Sequence, residues 1–405
     1  MIASENVASR EVREVLSSDL GHRYAEGWPG ERVYAGCVYV DQIELRAIEL
    51  AKKLFHSEFA DVRPTSGVGA NLAVYSALSQ AGDTMVALSI QNGGHISTGK
   101  REFSGSAGLV HGLNIEYFVF DRDEMNIDVD GTLKRLKGFG RGKRVRIAMF
   151  GGSLFLFPHP IKELVGAVND VGGVVCYDAA HVAGLIAGGQ FQDPLREGAE
   201  VMTLSTHKTL FGPQGGAILS KTKYSEDIKK AVFPGTTSNH HLHSVAAKAL
   251  AFAEFLEFGR RYALDVVRNA KAMAERLADL GENILGEKNG YTESHQVALD
   301  VTSYGDGGLV ERKLEKMNIV VNRQLIPGDL QAGRHYVNPG GIRLGVSELT
   351  RLGMTKGDIK EVAEILHLAL GTKNHRLVRD RVSELRKNFQ TVEYTFKPSS
   401  AYFFH

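Results

Sequence analysis

From about residue 72 to residue 219 the chain alternates short, almost wholly apolar runs with stretches of helical periodicity, and no other feature constrains its fold as strongly. The runs are Met85 to Ile90, Val145 to Phe150, Val174 to Tyr177, Val201 to Leu204 and Ala217 to Leu219; the helical patterns include Leu72 to Leu78 and Ile161 to Val171. A strand that reads as a continuous apolar run is buried on both faces, and a parallel neighbour requires a crossover long enough to hold a helix. The alternation therefore predicts an α/β fold, a mostly parallel sheet flanked by helices on both faces. Forty-five glycines among 405 residues, above the usual ~7%, suit such a fold, with its many turns and close backbone approaches.

Upstream, Ser9 to about Leu20 reads as a capped helix and Gln42 to Phe55 as a second, separated by a glycine- and tyrosine-rich loop from His22 to Val40. Downstream, His243 to Leu280 carries a long pattern rich in alanine and leucine, interrupted near Gly259, which reads as a bridge. Strand-like runs at Gln296 to Val301, Ile319 to Val321 and Ile342 to Val346 follow, with a helix from Lys356 to about Leu370 behind the capping-box pattern Thr355-x-x-Asp358. These predict a smaller α+β domain. The tail from Asn374 offers a charged amphipathic helix and then Tyr402-Phe403-Phe404, expected to be disordered. The expected division is an N-terminal segment and loop (1–40), a large domain (41–245), a bridging helix (246–280), a small domain (281–371) and a helical tail (372–405).

With 48 Lys plus Arg against 47 Asp plus Glu, the chain lacks the basic excess of a nucleic-acid or polybasic membrane binder. No apolar run reaches the ~18 residues of a membrane span, and Met1 to Asn6 does not read as a signal peptide. Cys37 and Cys176 are the only cysteines, too few for a disulfide framework, so a cytoplasmic location is expected. Small molecules and other subunits are the expected partners.

Chemistry concentrates at strand ends. Ser205-Thr206-His207-Lys208-Thr209 lies between two predicted strands and precedes Gly212-Pro213-Gln214-Gly215-Gly216. A lone lysine there is ordinarily a surface residue, but one at the mouth of a parallel sheet is placed to form a Schiff base with an aldehyde cofactor. The run Val174 to Tyr177 ends in Asp178-Ala179-Ala180-His181. An acid at that carboxyl end sits where open α/β sheets bind ligands and suits the ring nitrogen of pyridoxal phosphate. Thr65-Ser66-Gly67-Val68-Gly69-Ala70-Asn71 opens a helix with small residues whose amides could take a phosphate, although a simple N-cap turn explains it equally well. His95, in Gly93-Gly94-His95, could stack on a flat cofactor. The cluster His240-His241-x-His243 has no neighbouring acid in sequence, and no metal site is expected from it.

In this order these stretches resemble the fold-type I pyridoxal-phosphate enzymes, and further motifs narrow the resemblance to the serine hydroxymethyltransferase family, in its archaeal branch. They are Ile2-Ala3-Ser4-Glu5-Asn6, Tyr24-Ala25-Glu26-Gly27-Trp28-Pro29-Gly30, Tyr34-Ala35-Gly36-Cys37, Phe233-Pro234-Gly235 and Gly341-Ile342-Arg343-Leu344-Gly345, and the resemblance spans residues 2 to about 371. It implies that Lys208 is the Schiff-base lysine, Asp178 the ring-nitrogen partner and His95 the stacking histidine. Ser66, Gly67, Val68, Ser153, His181, Ser205, His207 and Tyr24 would complete the cofactor contacts. Arg343, with Ser4 nearby, would hold the amino-acid carboxylate, with His181 also in reach of substrate. Tyr24, Glu26 and Tyr34 would enter from the neighbouring subunit of a homodimer, Glu26 handling the proton on the substrate hydroxyl.

The implied activity is interconversion of serine and glycine, with pyridoxal 5′-phosphate as cofactor and a reduced pterin carrying the one-carbon unit. A pterin-independent aldolase for 3-hydroxy amino acids such as allo-threonine would use the same lysine, aspartate and arginine; a non-catalytic member of the fold would have no need of Lys208. Several positions depart from the bacterial and eukaryotic pattern. Val68-Gly69 stands where Ser-Gln is usual, Gln214 replaces a common arginine, and Thr236 to His241 replaces a glycine-rich cross-subunit loop. Gly152-Ser153-Leu154-Phe155, Gln324 and Ile90-Gln91-Asn92 also differ. These differences lead us to expect a tetrahydromethanopterin-type carrier in preference to tetrahydrofolate.

Overall fold

A computed structural model describes residues 1–139 and 145–402. The predicted alternation becomes a seven-stranded sheet of β1 (Phe59–Asp61), β2 (Thr84–Ala87), β3 (Asn114–Tyr117), β4 (Val145–Gly151), β5 (Val174–Asp178), β6 (Val201–Ser205) and β7 (Gly216–Ser220), in the order β1-β7-β6-β5-β4-β2-β3. From β6 to β3 every pairing is parallel; β7 runs antiparallel to both β6 and β1. Consecutive residues of a strand point to opposite faces, and here each face has its own core. Val86, Ala148, Phe150, Val175 and Tyr177 pack into one cluster, whereas Met85, Ile147, Met149 and Cys176 pack into the other. That double burial is why these strands read as unbroken apolar runs.

The helices form as their apolar spacing predicts, with shifted ends. The first, α1 (Arg10–Leu16), is capped by the Ser9 hydroxyl and gives way to a 3₁₀ turn at Asp19–His22; α2 spans Val38–Phe55. Between β1 and β2 runs α3 (Gly67–Leu78), and α4 (Ile161–Asp170) joins β4 to β5. The long helix α5 (Leu242–Asp279) passes Gly259 without a break. Gly259 is instead a packing residue: a Cβ there would lie 2.1 Å from a ring carbon of Phe255, and its carbonyl abuts Gly188.

The antiparallel sheet of β8 (Gln296–Asp300), β9 (Asn322–Gln324) and β10 (Gly341–Gly345) has β10 at its centre. The strand expected over Ile319 to Val321 is displaced to Asn322–Gln324. Ile319 and Val321 are buried, but they precede the pairing, and the carbonyl of Val320 accepts instead from the N-terminal ammonium of Met1 at 2.8 Å. Helix α6 (Lys356–Gly371) has the expected capping box, and α7 (His375–Arg386) follows. Tyr402 is not disordered: its hydroxyl donates to Glu348 at 2.7 Å, just after a short ladder of Ser399–Ser400 on Thr391–Val392. Phe403 and Phe404 lie outside the described residues. None of the described helices is long and apolar enough to cross a membrane.

Candidate active site

Parallel register brings the carboxyl ends of β4, β5 and β6 to one level, with Gly151 opposite Asp178 and Asp178 opposite Thr203. A cavity of about 170 Å³ opens there. Ser66, Gly67 and Val68 line it from the start of α3, His95 and Gly152 from the neighbouring loops, Asp178 from the end of β5 with His181 just beyond it, and Ser205 from the end of β6 with His207 and Lys208 just beyond it. Residues separated by more than a hundred positions in sequence thus share one small volume.

The Asp178 carboxylate is buried and accepts from the backbone amide of Ala180 at 2.9 Å and from Asn71 Nδ2 at 2.8 Å. These two donors fix the position of the carboxylate at the strand end. Asn71 also donates to Ser97 Oγ at 2.9 Å, while its own carbonyl accepts from Thr203 Oγ1 at 2.6 Å. The Ser97 amide donates to His95 Nδ1 at 3.1 Å and its hydroxyl lies 2.8 Å from the same atom. Nδ1 is therefore an acceptor, so a neutral His95 carries its proton on Nε2. Burial lowers the His95 pKa, with Asp178 opposing. Burial likewise draws Lys208 down to about 8, again opposed by Asp178 and reinforced by Arg343. The Lys208 carbonyl is held by Asn6 Nδ2 at 2.6 Å.

The start of α3 is shaped for a compact anion. Ser66 caps it, accepting from the Gly69 amide at 3.0 Å, and amides at such an N-terminus attract negative charge. A Cβ on Gly67 would lie 2.4 Å from Ser205 Oγ, so a larger residue there would have to displace that hydroxyl. The cavity thus brings together an amine, a carboxylate and a helix N-terminus, the kinds of group that pyridoxal phosphate requires.

Arg343 on β10 is buried, and burial draws its pKa down to about 10. Its Nη1 donates to the Ser153 carbonyl at 2.5 Å and its Nε to Asn322 Oδ1 at 3.3 Å; among the described residues no carboxylate pairs with it. A buried guanidinium without a counter-ion is poised for an incoming carboxylate. His181 Nδ1 accepts from Gln296 Nε2 at 3.0 Å, and His181 stacks on His295, whose Nε2 donates to the Ala3 carbonyl at 3.1 Å. Burial pulls His181 well below its usual range and His295 to about 3, so both rings are neutral. His207 is drawn to about 4, also mainly by burial.

The family model of serine hydroxymethyltransferase matches residues 1–366. This chain belongs to the serine hydroxymethyltransferase family. It is 61% identical over 398 residues to the serine hydroxymethyltransferase of Cenarchaeum symbiosum, covering 98% of this chain and 90% of that protein. The Nitrosopumilus maritimus protein of the same name is 60% identical and the Methanopyrus kandleri one 54%, with the same coverage. All three sources are archaea, as the branch resemblance implied. Serine hydroxymethyltransferases are pyridoxal-phosphate enzymes that interconvert serine and glycine with a pterin co-substrate, and this chain is such a transferase.

Not every residue that the family resemblance singled out meets in the cavity. Ser4 follows Ala3, which packs against Gly345 at the end of β10, but Ser4 does not line the cavity. Ser153 takes part through its main chain, its carbonyl accepting from Arg343 and Gln296. Tyr24, Glu26 and Tyr34 lie away from the cavity of their own chain. Tyr24 and Tyr34 stack edge to face with ring centroids 5.1 Å apart, and Glu26 accepts from Ser238 Oγ. His240, expected to lack an acidic neighbour, has one through tertiary contact: its Nε2 lies 2.7 Å from Glu44 Oε2, which also pairs with Arg32. His241 and His243 stack on each other. Sequence reasoning missed Asn71, His295 and Gln296. Asn71 could have been found, since it lies four residues after Gly67 on one helix face; the other two carry no local signal.

Proposed function

We propose that the cavity at the carboxyl ends of β4 to β6 is where this chain interconverts serine and glycine, and that the one-carbon unit passes to a tetrahydromethanopterin-type carrier. The observation that carries the reading is the meeting of Lys208, Asp178, His95 and the Ser66–Val68 turn around one cavity. Bound there, pyridoxal phosphate supplies an aldehyde carbon and an electron-withdrawing ring that accepts the electron pair released when a bond at the amino-acid Cα breaks.

The protein's own groups do the rest. Lys208, with a pKa of about 8, has a neutral fraction near pH 7 that serves as nucleophile. Asp178, held in place by Asn71 and the Ala180 amide, would pair with the ring nitrogen. His95 presents its ring to the cofactor, and His181, neutral and fixed by Gln296, orients cofactor and substrate. Arg343 grips the substrate carboxylate through two parallel hydrogen bonds, with Ser4 beside it. Ser66, Gly67, Val68, Ser205 and His207 surround the cofactor.

Glu26 acts from the partner subunit on the proton of the substrate hydroxyl, with Tyr24 and Tyr34 beside it. The loop that bears them supports a homodimer: Tyr24, Tyr34 and Tyr39 are 55%, 46% and 78% exposed, with Val33 and Val38 also open, a local concentration of exposed apolar side chains that a partner surface would cover. Both cysteines are free thiols, which supports a reducing, cytoplasmic setting.

Serine cleavage measured at steady state with tetrahydromethanopterin and with tetrahydrofolate tests the carrier. We expect faster turnover with the former. A clear preference for folate refutes the carrier assignment, and cleavage of allo-threonine and serine indifferent to both pterins identifies an aldolase instead.

A further inference from the structure

Lys248 projects from α5 into the core with 1% of its surface exposed. An ammonium has three N–H donors and no acceptor. Lys248 Nζ directs them to three main-chain carbonyls, Val62 at 2.7 Å, Pro64 at 3.0 Å and Gly216 at 3.0 Å. A neutral amine has only two N–H groups, so one carbonyl would then face its lone pair; the cage is matched to the charged form. Burial draws the pKa of Lys248 to about 7, and the charges of Asp61 and Glu44 push it back up. Converging carbonyl oxygens around one positive charge form the type of ligand set that holds a monovalent cation.

The three carbonyls belong to two segments that meet at the site. Pro64 lies two residues before Ser66, and Gly216 opens β7 two residues after Gln214, which lines the cavity. The Gly216 amide donates to the Pro64 carbonyl at 3.0 Å. A Cβ on Gly216 would sit 2.3 Å from the Ser66 carbonyl oxygen, and one on Gly215 would sit 2.4 Å from Lys248 Cε. Two successive glycines therefore let the backbone close over the lysine and against the turn.

We propose that Lys248 is a positioning residue for the cofactor phosphate: its ammonium, caged by three main-chain carbonyls, pins the Val62–Ser66 segment to the start of β7 and so fixes the Ser66–Gly67–Val68 amides. The inference rests on the reading of that turn as the phosphate cradle. It assigns Lys248 no contact with the cofactor.

The test is to titrate the full chain with pyridoxal 5′-phosphate and with pyridoxal, which lacks the phosphate, following cofactor absorbance. Lys248→Met should weaken pyridoxal phosphate binding by about tenfold or more, the scale of one charge-assisted hydrogen bond, and leave pyridoxal binding nearly unchanged. Lys248→Ala opens space for a small cation, so ammonium or methylammonium chloride should restore phosphate-dependent affinity, while tetramethylammonium at equal ionic strength should not. Wild-type affinity in Lys248→Met, equal weakening of both ligands, no rescue of Lys248→Ala by ammonium, or loss of the circular-dichroism signature of the fold in every salt would each overturn the proposal. If the wild type itself binds pyridoxal as tightly as pyridoxal phosphate, the phosphate-cradle reading fails, whatever the variants do.

Discussion

Lys208 and Asp178 depend on residues that are not themselves reactive. Asn71 donates both of its amide hydrogens, to Asp178 and Ser97, while its oxygen accepts from Thr203, so one side chain fixes the position of the acid and, through Ser97, the orientation of His95. Asn71→Leu should leave Asp178 short of a donor and lower kcat by roughly 10- to 100-fold, corresponding to the ~1.5–3 kcal/mol of a hydrogen bond to a charged group. Wild-type turnover in this variant would remove Asn71 from the machinery. For Lys208 the sign of the pH dependence follows from the direction of its shift. If the neutral amine of Lys208 is the nucleophile, the rate of cofactor capture should rise with pH and level off above about 8, whereas an ordinary lysine would keep rising toward ~10.4. Since Arg343 depresses this pKa and Asp178 raises it, Arg343→Met should move the midpoint up and Asp178→Asn should move it down. Stopped-flow capture profiles of the three proteins decide whether these two charges tune a pKa that burial chiefly lowers.

Strand ends fix which side chains can meet, and the tightest of them is the end of β4. Gly151 has φ of +84°, and a Cβ there would lie 2.1 Å from the Asp178 carbonyl oxygen. Neither strand can yield without carrying Asp178 with it. Gly151→Ala should destabilise the protein by more than about 2 kcal/mol, combining left-handed strain with a backbone clash, and should weaken cofactor binding further. A urea midpoint and an absorbance titration that both match wild type would contradict this. The N-terminal segment works at the same scale. It starts at the end of β10 and reaches the site: the Gly345 amide donates to the Met1 carbonyl, His295 donates to Ala3, and Asn6 donates to Lys208.

At the scale of the whole molecule, the cavity of one chain holds Lys208 while Glu26 lies outside it on an exposed loop. If a second copy supplies Glu26, then mixing inactive Lys208→Ala chains with inactive Glu26→Gln chains should restore activity, because a hybrid dimer contains one site with both residues intact. Random reassociation would place hybrids at about half of all dimers, with one active site each, so recovery should approach a quarter of wild-type activity. No recovery after verified exchange would mean that each site is built from a single chain.

The sequence by itself determined the alternating fold and the residues whose chemistry is local: Lys208 and Asp178 stand at or just beyond the ends of strands that their apolar runs announce, and the start of α3 is written in its small residues. Burial on both faces makes such strands conspicuous; the edge strand β3 is half polar, and β1, although buried, is only three residues long and ends in Asp61, so neither stood out. Only tertiary structure decided that Asn71 governs Asp178, that His240 meets Glu44 and that Gly259 packs against a ring without breaking a helix. It also revealed that Arg343 lacks a counter-ion and that Lys248, on the apolar side of α5 near Val245 and Phe252, is caged by carbonyls. Those facts depend on which groups converge from distant segments, and a pattern of neighbours along the chain carries no record of that convergence.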